Sequence, residues 1–540
     1  MPKARKGLRG AQDSNFILQG GILAIAGIVT RIIGLLYRVP VTNIIGDEGN
    51  GYYAAAYQIY NILLLISSYS LPLAISKLVS ARYSKGQYKN ADRVYKGGLI
   101  FAFCTGGIVC LLVLFGAEFF AGVVMSEPMS YIALRIFAPT LLVVAVMGVV
   151  RGYFQGMGTM VPTAVSQIIE QIMNAVVSIL AAHLLFSYGE KVGTLLRDKR
   201  FAPAYGAAGS TLGTSMGATS GLIFLIVALM MVSNSLKHDM ADDETRFPET
   251  YRRILKTIVM TAVPVIMSTA IYNLSDVLDN GIFNRIMTAK GLAMQKTAIW
   301  GVYSGKYKLL INVPIALSNA MSSSVVPTLS ASVAREDFKM ARRKISSAMR
   351  FTMILSFPCA VGLAVLAEPI MGLLFRGETK MAAELLRAGA ISIIFFSIST
   401  LTNGILQGIN HLELPVRHSA MSLVLHLIML VCLLQGTDIG IYAVLCSNTL
   451  FAFTMCILNH LSIKRYLRYR QEIRRTFFVP FISAAIMGLI VFFLYRVLSA
   501  IVPIKIIPLA ISIGCGGFVY FLLIIILGGV KKSEIRALRK

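Results

Sequence analysis

The sequence predicts an all-α membrane protein of about 14 transmembrane helices, built as two homologous six-helix lobes followed by two further helices. Four observations carry this prediction. The chain has 540 residues, of which 56% are hydrophobic and 14% are charged, with a mean hydropathy of +0.72. Its apolar residues form long blocks between short charged segments, as is typical of polytopic membrane proteins. Sequence patterns also recur after about 250 residues, and basic residues concentrate in alternate loops.

Each predicted span is a mostly apolar segment of about 20 or more residues, which is long enough to cross a bilayer as a helix. The spans are 16–41, 52–80, 97–124, 130–150, 161–187, 205–233, 255–285, 298–330, 346–375, 385–408, 414–435, 438–462, 477–498 and 503–529. We divide the chain into an N-terminal lobe (1–233), a cytoplasmic linker (234–254), a C-terminal lobe (255–462) and a final region with two spans and a basic tail (463–540).

Basic loops predict the orientation, because loops rich in Lys and Arg stay on the cytoplasmic side. The N-terminal tail, the loops 82–96, 335–350 and 464–475, and the tail from Lys531 all fall on one side. Both termini are therefore predicted to be cytoplasmic, although the basic loop 190–200 falls on the opposite side. This distribution explains the net charge of +26 without nucleic acid, which we do not expect as a partner.

Three pairs of similar segments support the duplication. They are 152–156 (GYFQG) with 404–408 (GILQG), 87–93 with 337–343, and 117–118 with 367–368. The first pair is predicted to form turns, because glycine interrupts helical patterns. Since each lobe has an even number of spans, the two copies have the same orientation. We expect them to be related by an axis along the membrane normal, with a substrate site between them.

No catalytic or nucleotide-binding motif is present: the chain has no Gly-rich phosphate loop, no HExxH and no paired cysteine cluster. Its seven Cys residues lack CxxC spacing and are interpreted as core residues. We therefore predict a protein that is not an enzyme, with no cofactor and no bound metal. The functional candidates are polar residues inside predicted spans, where ionisable side chains are costly and normally face a bundle interior or a watery cavity.

Four basic residues are predicted to bind substrate. Arg31 lies deep in the first span, Arg38 lies nearer its outer end, and Lys306 and Lys308 lie in the eighth span. Snorkelling or pairing remains the alternative for the arginines, and anchoring at the membrane interface beside tyrosines remains the alternative for the lysines.

Two further groups of polar residues are predicted to line a cavity or to couple transport to an ion. On the fifth span, four residues share one helix face: Gln167, Glu170, Gln171 and Asn174. On the seventh span lie Asn273, Asp276, Asp279 and Asn280. Carboxylates in a membrane helix indicate an ion or proton site, or counter-ions for the cations above; structural pairing is the alternative. Without a nucleotide motif, the driving force is expected to be the membrane potential, H⁺ or Na⁺.

Residues 46–82 (GDEGNGYYAAAYQIYNILLLISSYSLPLAISKLVSAR) resemble the second-helix signature of the stage V sporulation protein B-like polysaccharide-biosynthesis proteins. Residues 162–171 (PTAVSQIIEQ) and the RGxxQG motif from Arg151 are similar to the same group. This group is a branch of the multidrug/oligosaccharidyl-lipid/polysaccharide (MOP) exporter superfamily and includes the MurJ-type lipid II flippases. The resemblance covers nearly the whole chain.

The resemblance implies a flippase for an undecaprenyl-pyrophosphate-linked sugar in a bacterial plasma membrane. Lipid II is the substrate that it implies. It implies a cationic cavity between two lobes, a groove for the lipid tail at the last two helices, membrane lipids as further partners, and a monomer. A flippase for another polyprenyl-linked oligosaccharide and a cation-coupled multidrug exporter are the alternatives within the superfamily. A membrane scaffold and a membrane-embedded glycosyltransferase are the alternatives from other classes.

The resemblance also assigns residues. Residues 30–34 (TRIIG) match the family's Ser/Thr-Arg-x-x-Gly motif, Tyr37 and Arg38 compete for a second arginine position, and Lys306 or Lys308 matches a basic residue in the eighth span. Some members bind sodium through an Asp in the seventh span and an Asn-x-x-x-Asp motif in the eleventh span. Ser422 and His426 stand in those places here, which argues against sodium coupling.

Overall fold

The computed structural model describes residues 2–69, 71–241, 243, 245, 248–411 and 413–529, without the side chains of 2–21, 24, 69, 239, 261–272, 327, 331 and 334. The predicted basic tail from Lys531 lies outside these residues. The described chain is helical and contains no β-strand, so the prediction of an all-α protein is confirmed.

The helices are α1 (Pro2–Leu64), α2 (Leu71–Tyr83), α3 (Tyr88–Phe119), α4 (Tyr131–Gly156), α5 (Val161–Leu196), α6 (Phe201–Ala241), α7 (Tyr251–Ala289), α8 (Lys296–Val302), α9 (Lys308–Ala334), α10 (Phe338–Val365), α11 (Ala367–Leu374), α12 (Lys380–Gly408), α13 (Glu413–Gly436), α14 (Ile441–Leu467), α15 (Val479–Ile501) and α16 (Ile506–Ile526). Single π-helical turns cover Leu65–Tyr69, Phe120–Val124, Tyr303–Tyr307 and Arg474–Phe478, and a 3₁₀ turn covers Pro128–Ser130.

Twelve segments of the described chain are long and apolar enough to cross a membrane. The first, Ile25–Tyr83, includes most of the first predicted span and all of the second. They are separated by a kink at Gly46, where φ is 71° and ψ is −177°, a conformation that glycine adopts without steric cost. The predicted span 255–285 corresponds to α7. Each predicted span thus overlaps one or two of these helices, and the chain is a multi-pass membrane protein.

The chain divides into two compact units, Met1–Asn284 and Arg285–Lys540. The division lies within α7, later than the predicted start of the second lobe at residue 255. The C-terminal part of α7 is bonded to the first unit: the Asn280 side chain donates to Oε1 of Gln58 at 2.6 Å, and that of Asn284 donates to the carbonyl of Met125 at 3.0 Å. These bonds place most of α7 with the first unit.

The predicted linker 234–254 is partly helical, because α6 continues to Ala241, and its later part is bonded to the α2–α3 hairpin. Arg82 makes a bidentate pair with Glu249, at 2.7 and 3.0 Å. The backbone N–H of Lys89 donates to the Asp243 carboxylate at 2.6 Å. Burial disfavours ionisation of Asp243, but hydrogen bonds from Thr245 and Lys89 outweigh it and lower its pKa. This contact therefore stabilises the fold at pH values above the ordinary pKa of an aspartate. Its contribution is lost as the pH falls through the lowered pKa of Asp243.

The repeated GxxQG motifs are not turns, which corrects the sequence prediction. Each forms the last turn of a helix, α4 or α12, where its glycines allow close helix packing. A Cβ atom on Gly152 would lie 2.7 Å from the carbonyl oxygen of Pro72, and one on Gly408 would lie 3.3 Å from the carbonyl oxygen of Val326.

The residues against which these glycines pack repeat in register. Gly152 and Gly156 contact the helix that carries Pro72, Ser76 and Val79, and Gly404 and Gly408 contact the helix that carries Ser322, Val326 and Leu329. Corresponding contact residues are 250 positions apart in the chain. The duplication therefore extends to individual contacts in the two units.

Gly152→Ala is expected to lower the free energy of unfolding by about 1–3 kcal/mol, because the new methyl group meets rigid backbone. Gly107→Ala on α3 is the matched control, since a Cβ there meets no atom within 4 Å. Thermal unfolding of the purified proteins in one detergent measures both changes. Equal melting temperatures for the two variants would show that the close approach of α4 to α2 carries no packing constraint.

Candidate substrate site

An aromatic and cationic cluster forms in the first unit, on both sides of the Gly46 kink. Tyr53, Tyr57 and Tyr60 follow the kink at helical spacing and share one face of α1. The rings of Tyr53 and Tyr57 stack with centroids 5.8 Å apart and planes 13° apart, and Tyr60 stacks on Phe137 at 4.2 Å. The guanidinium of Arg38 lies 4.1 Å from the centroid of Tyr53, a cation–π contact. Arg38, a predicted substrate residue, is thus half-buried and held by an aromatic ring.

The two predicted arginines are seven residues apart on α1, so they project from the same face of the helix. Arg31 is exposed, in contrast to the half-buried Arg38. Tyr37, which competes with Arg38 for the second family position, accepts a hydrogen bond at 3.2 Å from the side-chain amide of Asn174 on α5. The Asn174 oxygen accepts a bond from Ser178 at 2.9 Å. Span one and the predicted polar face of span five therefore meet.

Glu170, predicted to line a cavity or to couple transport, has a cationic partner. Its carboxylate accepts a bond of 2.7 Å from Arg151, whose Nε donates to Ser166 at 3.0 Å. The partner is the first residue of the RGxxQG motif, a connection that the sequence did not suggest. Gln167, on the same face, is half-buried. The geometry makes Glu170 the counter-ion of Arg151; a role in coupling stays a prediction.

Gln171 lies close to the glycine of the TRIIG motif. A Cβ on Gly34 would lie 3.2 Å from its amide nitrogen, so glycine at this position lets α5 approach α1.

A double-mutant cycle tests the role of the pair. Arg151→Gln and Glu170→Gln are each expected to destabilise the protein, with a coupling energy of about 1 kcal/mol, because both side chains are partly screened by solvent. Thermal unfolding measures the coupling, and the pH profile of transport is recorded for Glu170→Gln. A counter-ion predicts measurable coupling and an unchanged profile. Additive effects together with a shifted profile would instead make Glu170 a proton-binding residue.

A second tyrosine pair occupies the same repeat position in the second unit. Tyr303 and Tyr307 stand 250 residues after Tyr53 and Tyr57, and their rings stack with centroids 5.3 Å apart and planes 28° apart. The ammonium of Lys308 lies 5.4 Å from the centroid of Tyr303. Each unit therefore presents a stacked YxxxY pair with a cation beside its first ring. The sequence contains this repeat, but the second pair was considered there only as neighbours of Lys306 and Lys308, for which anchoring at the membrane interface was the alternative.

Lys306 is 1% exposed, and its ammonium donates to the backbone carbonyls of Arg376 at 2.7 Å and Glu378 at 3.1 Å. Through these hydrogen bonds, Lys306 connects the π-helical turn Tyr303–Tyr307 to the segment between α11 and α12. Its role in substrate binding stays a prediction, whereas the half-buried Lys308 is the more accessible of the two lysines.

The polar residues of α7 are divided between two environments. Asn280 is buried in a chain of amides, in which it donates to Gln58 and accepts from Asn284 at 2.7 Å. Asp279 is 1% exposed, while Asn273 and Asp276 are half-buried. Within the described part of the chain, no group of three or more His, Cys, Asp or Glu is placed to hold a metal ion. Ser422 and His426 are buried in α13.

Comparison with known families decides the assignment. The family model described as "Polysaccharide biosynthesis protein" matches residues 18–333. The chain belongs to the polysaccharide biosynthesis protein family. The MatE family model matches residues 264–432, so the family's relation to MATE transporters is visible in the later part of the chain. The resemblance seen in the sequence is thereby confirmed.

Individual relatives extend the similarity over nearly the full length. The chain is 27% identical over 533 residues to the lipid II flippase MurJ of Bacillus subtilis (strain 168), covering 94% of each chain. It is 22% identical over 526 residues to the stage V sporulation protein B of the same organism, covering 95% of this chain and 96% of that relative.

Solved structures show the same fold. MurJ in an inward closed conformation matches with a TM-score of 0.61 at 17% identity, covering 93% of this chain and 97% of that structure. An inward-facing MATE family transporter of the MOP superfamily matches with a TM-score of 0.65 at 14% identity, covering 82% of this chain and 99% of that structure. The family member described here therefore has the MurJ and MATE fold.

Proposed function

We propose that this chain is a flippase that moves a polyprenyl-pyrophosphate-linked glycan, specifically lipid II, from the inner to the outer leaflet of a bacterial plasma membrane. The observation that carries the proposal is the similarity to a lipid II flippase over 94% of both chains. The exposed Arg31 and the half-buried Arg38 on one face of α1 support it with suitable chemistry.

The charge of the substrate explains the need for these cations. A pyrophosphate carries two or more negative charges and must cross about 30 Å of hydrocarbon. Moving it without partners would cost far more than the lipid tail could offset. Guanidinium groups compensate this charge and can bind phosphate oxygens in pairs. Alternating access would then carry the head group across while the tail remains in the lipid.

A depletion–rescue assay tests the proposal in cells. In a bacterium whose own lipid II flippase is depleted, expression of this chain is expected to restore lipid II on the outer leaflet, measured by its accessibility to an impermeant reagent. An inactive control with comparable membrane abundance establishes the background. Failure to restore exposure, despite normal abundance, would contradict lipid II as the substrate.

A flippase for a different polyprenyl-linked glycan is the second candidate. A probable low-salt glycan biosynthesis flippase of Haloferax volcanii is 27% identical over 168 residues, which covers 31% of this chain. A cation-coupled multidrug exporter is favoured by the MatE match and by the fold shared with a MATE transporter, but an exposed arginine on α1 would repel cationic drugs. Competition for transport by glycan lipids and by cationic drugs separates these candidates.

The proposed topology places both termini in the cytoplasm. Asn50 is unsuitable as an external labelling position, because its side chain is buried and donates to the carbonyls of Thr42 and Gly46. Lys199, in the basic loop predicted to be external, is exposed, as is Ser84 on the α2–α3 hairpin. In a background without native cysteines, an impermeant thiol reagent should label Lys199→Cys but not Ser84→Cys in intact cells. The reverse pattern would invert the topology.

A further inference from the structure

The two repeated tyrosine pairs differ in how their second ring is covered. Tyr307 is 2% exposed, and its hydroxyl lies 3.4 Å from the carbonyl of Gly389 and 3.3 Å from the Ser392 hydroxyl on α12. Glycine at 389 leaves room for the ring, since a side chain there would collide with it. Tyr57, at the equivalent position of the first unit, is 40% exposed. In the second unit, protein therefore covers the second ring of the pair, whereas in the first unit the second ring is exposed.

The open ring is held in place by other rings. Tyr53 stacks on it, and the rings of Tyr60 and Phe137 lie 6.0 and 6.2 Å away. Tyr53 is itself held by the cation of Arg38. An aromatic side chain fixed from several directions loses little conformational freedom when a ligand stacks on it, so its remaining surface is preorganised for binding.

Polar groups adjoin this ring. The guanidinium of Arg38 lies 4.1 Å from the ring centroid of Tyr53, which stacks on Tyr57, and the hydroxyl of its chain neighbour Tyr37 accepts a hydrogen bond from Asn174. A ligand at Tyr57 would therefore meet an aromatic face, with the Tyr37 hydroxyl and the Arg38 cation on the same helix. This set suits a sugar ring, which has a face of C–H groups and an edge of hydroxyl groups: the C–H groups pack against the negative face of the aromatic ring, and the hydroxyls need hydrogen-bond partners.

We propose that Tyr57 is the stacking platform for a sugar ring of the transported lipid, while Arg31 and Arg38 take the pyrophosphate. This assignment rests on the proposed function and adds a glycan subsite to it. It predicts that Tyr57 contributes to affinity for the glycan and not for the pyrophosphate, so the two parts of the substrate can be separated experimentally.

The test measures binding to the purified full-length protein with two ligands: a short-chain prenyl pyrophosphate that carries a disaccharide, and the same prenyl pyrophosphate without sugar. Tyr57→Leu is expected to weaken binding of the glycan-bearing ligand about tenfold and to change binding of the bare pyrophosphate less than about twofold. Tyr57→Phe keeps the ring and should retain most of the affinity. Tyr188→Leu is the control, because Tyr188 is also exposed and packs edge-on against another tyrosine.

Each outcome is decisive. If Tyr57→Leu binds both ligands as the unmodified protein does, Tyr57 is a membrane-facing aromatic residue and the glycan subsite is overturned. Equal losses of affinity for both ligands would also overturn the glycan subsite. If Tyr57→Leu does not fold, the comparison of Tyr57→Phe with Tyr57→Met measures the same difference between a ring and a flexible apolar chain. If the unmodified protein binds neither ligand, the proposed function is wrong. If the unmodified protein binds the glycan-bearing ligand and the Tyr57 variants bind it equally well, only the proposed glycan subsite is wrong.

Discussion

Arg31→Ala is expected to reduce transport about 100-fold, because it removes a charged partner of the pyrophosphate from a membrane-spanning helix. Arg31→Lys should retain part of the activity, since lysine keeps the charge but cannot bind two phosphate oxygens with a planar guanidinium. The exposed position of Arg31 on α1 means that neither change is expected to unfold the protein. Initial transport rates in proteoliposomes, at equal protein content, measure the effect.

Arg135→Ala on α4 is the matched control, because Arg135 is also an exposed arginine in a spanning helix. It should transport at the unmodified rate. Full activity of Arg31→Ala would remove Arg31 from the mechanism, and an equal loss in both variants would indicate a general effect of surface charge.

Neutralising the α7 carboxylates is expected to change the energy coupling. An elementary charge that moves through 100 mV gains about 2.3 kcal/mol, which corresponds to roughly a 50-fold bias in rate or equilibrium. If Asp276 and Asp279 bind or compensate the coupling charge, Asp276→Asn and Asp279→Asn should remove much of the dependence of transport on pH or on membrane potential. Binding of the pyrophosphate should persist, because the basic residues carry it. Transport at imposed potentials and pH gradients, with binding measured in parallel, separates these effects.

Glu190→Gln is the control for this experiment, since Glu190 is exposed near the end of α5. If both aspartate variants respond to potential and pH as the unmodified protein does, the carboxylates of α7 are structural. The burial of Asp279 and the amide chain at Asn280 would then describe a rigid attachment of α7 to the first unit.

The positions of the helices could be predicted because a bilayer requires long apolar segments, and few other structures produce them. Helix ends and kinks were less predictable. The GxxQG motifs illustrate the reason. A glycine that ends a helix and a glycine that allows close helix packing look the same in the sequence. Only the structure, which places the backbone of Pro72 or Val326 against the motif, distinguishes the two roles. Hydropathy separates the first two predicted spans, whereas in the structure one helix continues through the kink at Gly46 from the first span into the second.

Partners in the site could not be predicted from spacing along a single helix. Glu170 was identified as an unusual carboxylate, but Arg151 lies on another helix and pairs with it only after the chain folds back. Lys306 is a second case, because its place in the eighth span suggested a binding residue, whereas the structure shows its ammonium bonded to the backbone carbonyls of Arg376 and Glu378. The repeated tyrosine pairs were visible at a spacing of 250 residues, yet their stacking depends on side-chain conformations that the sequence does not encode locally.

Flipping by the purified protein alone tests the central claim most directly. Proteoliposomes containing this chain and lipid II are compared with those containing the Arg31→Ala variant, and the lipid II that reaches the opposite leaflet is quantified with an impermeant enzyme or reagent. We expect the unmodified protein to expose lipid II from the inner leaflet far faster than the variant, with no exposure of an ordinary anionic phospholipid above background. Equal rates with and without the protein, in vesicles where it is folded and correctly inserted, would contradict its assignment as a flippase for this lipid.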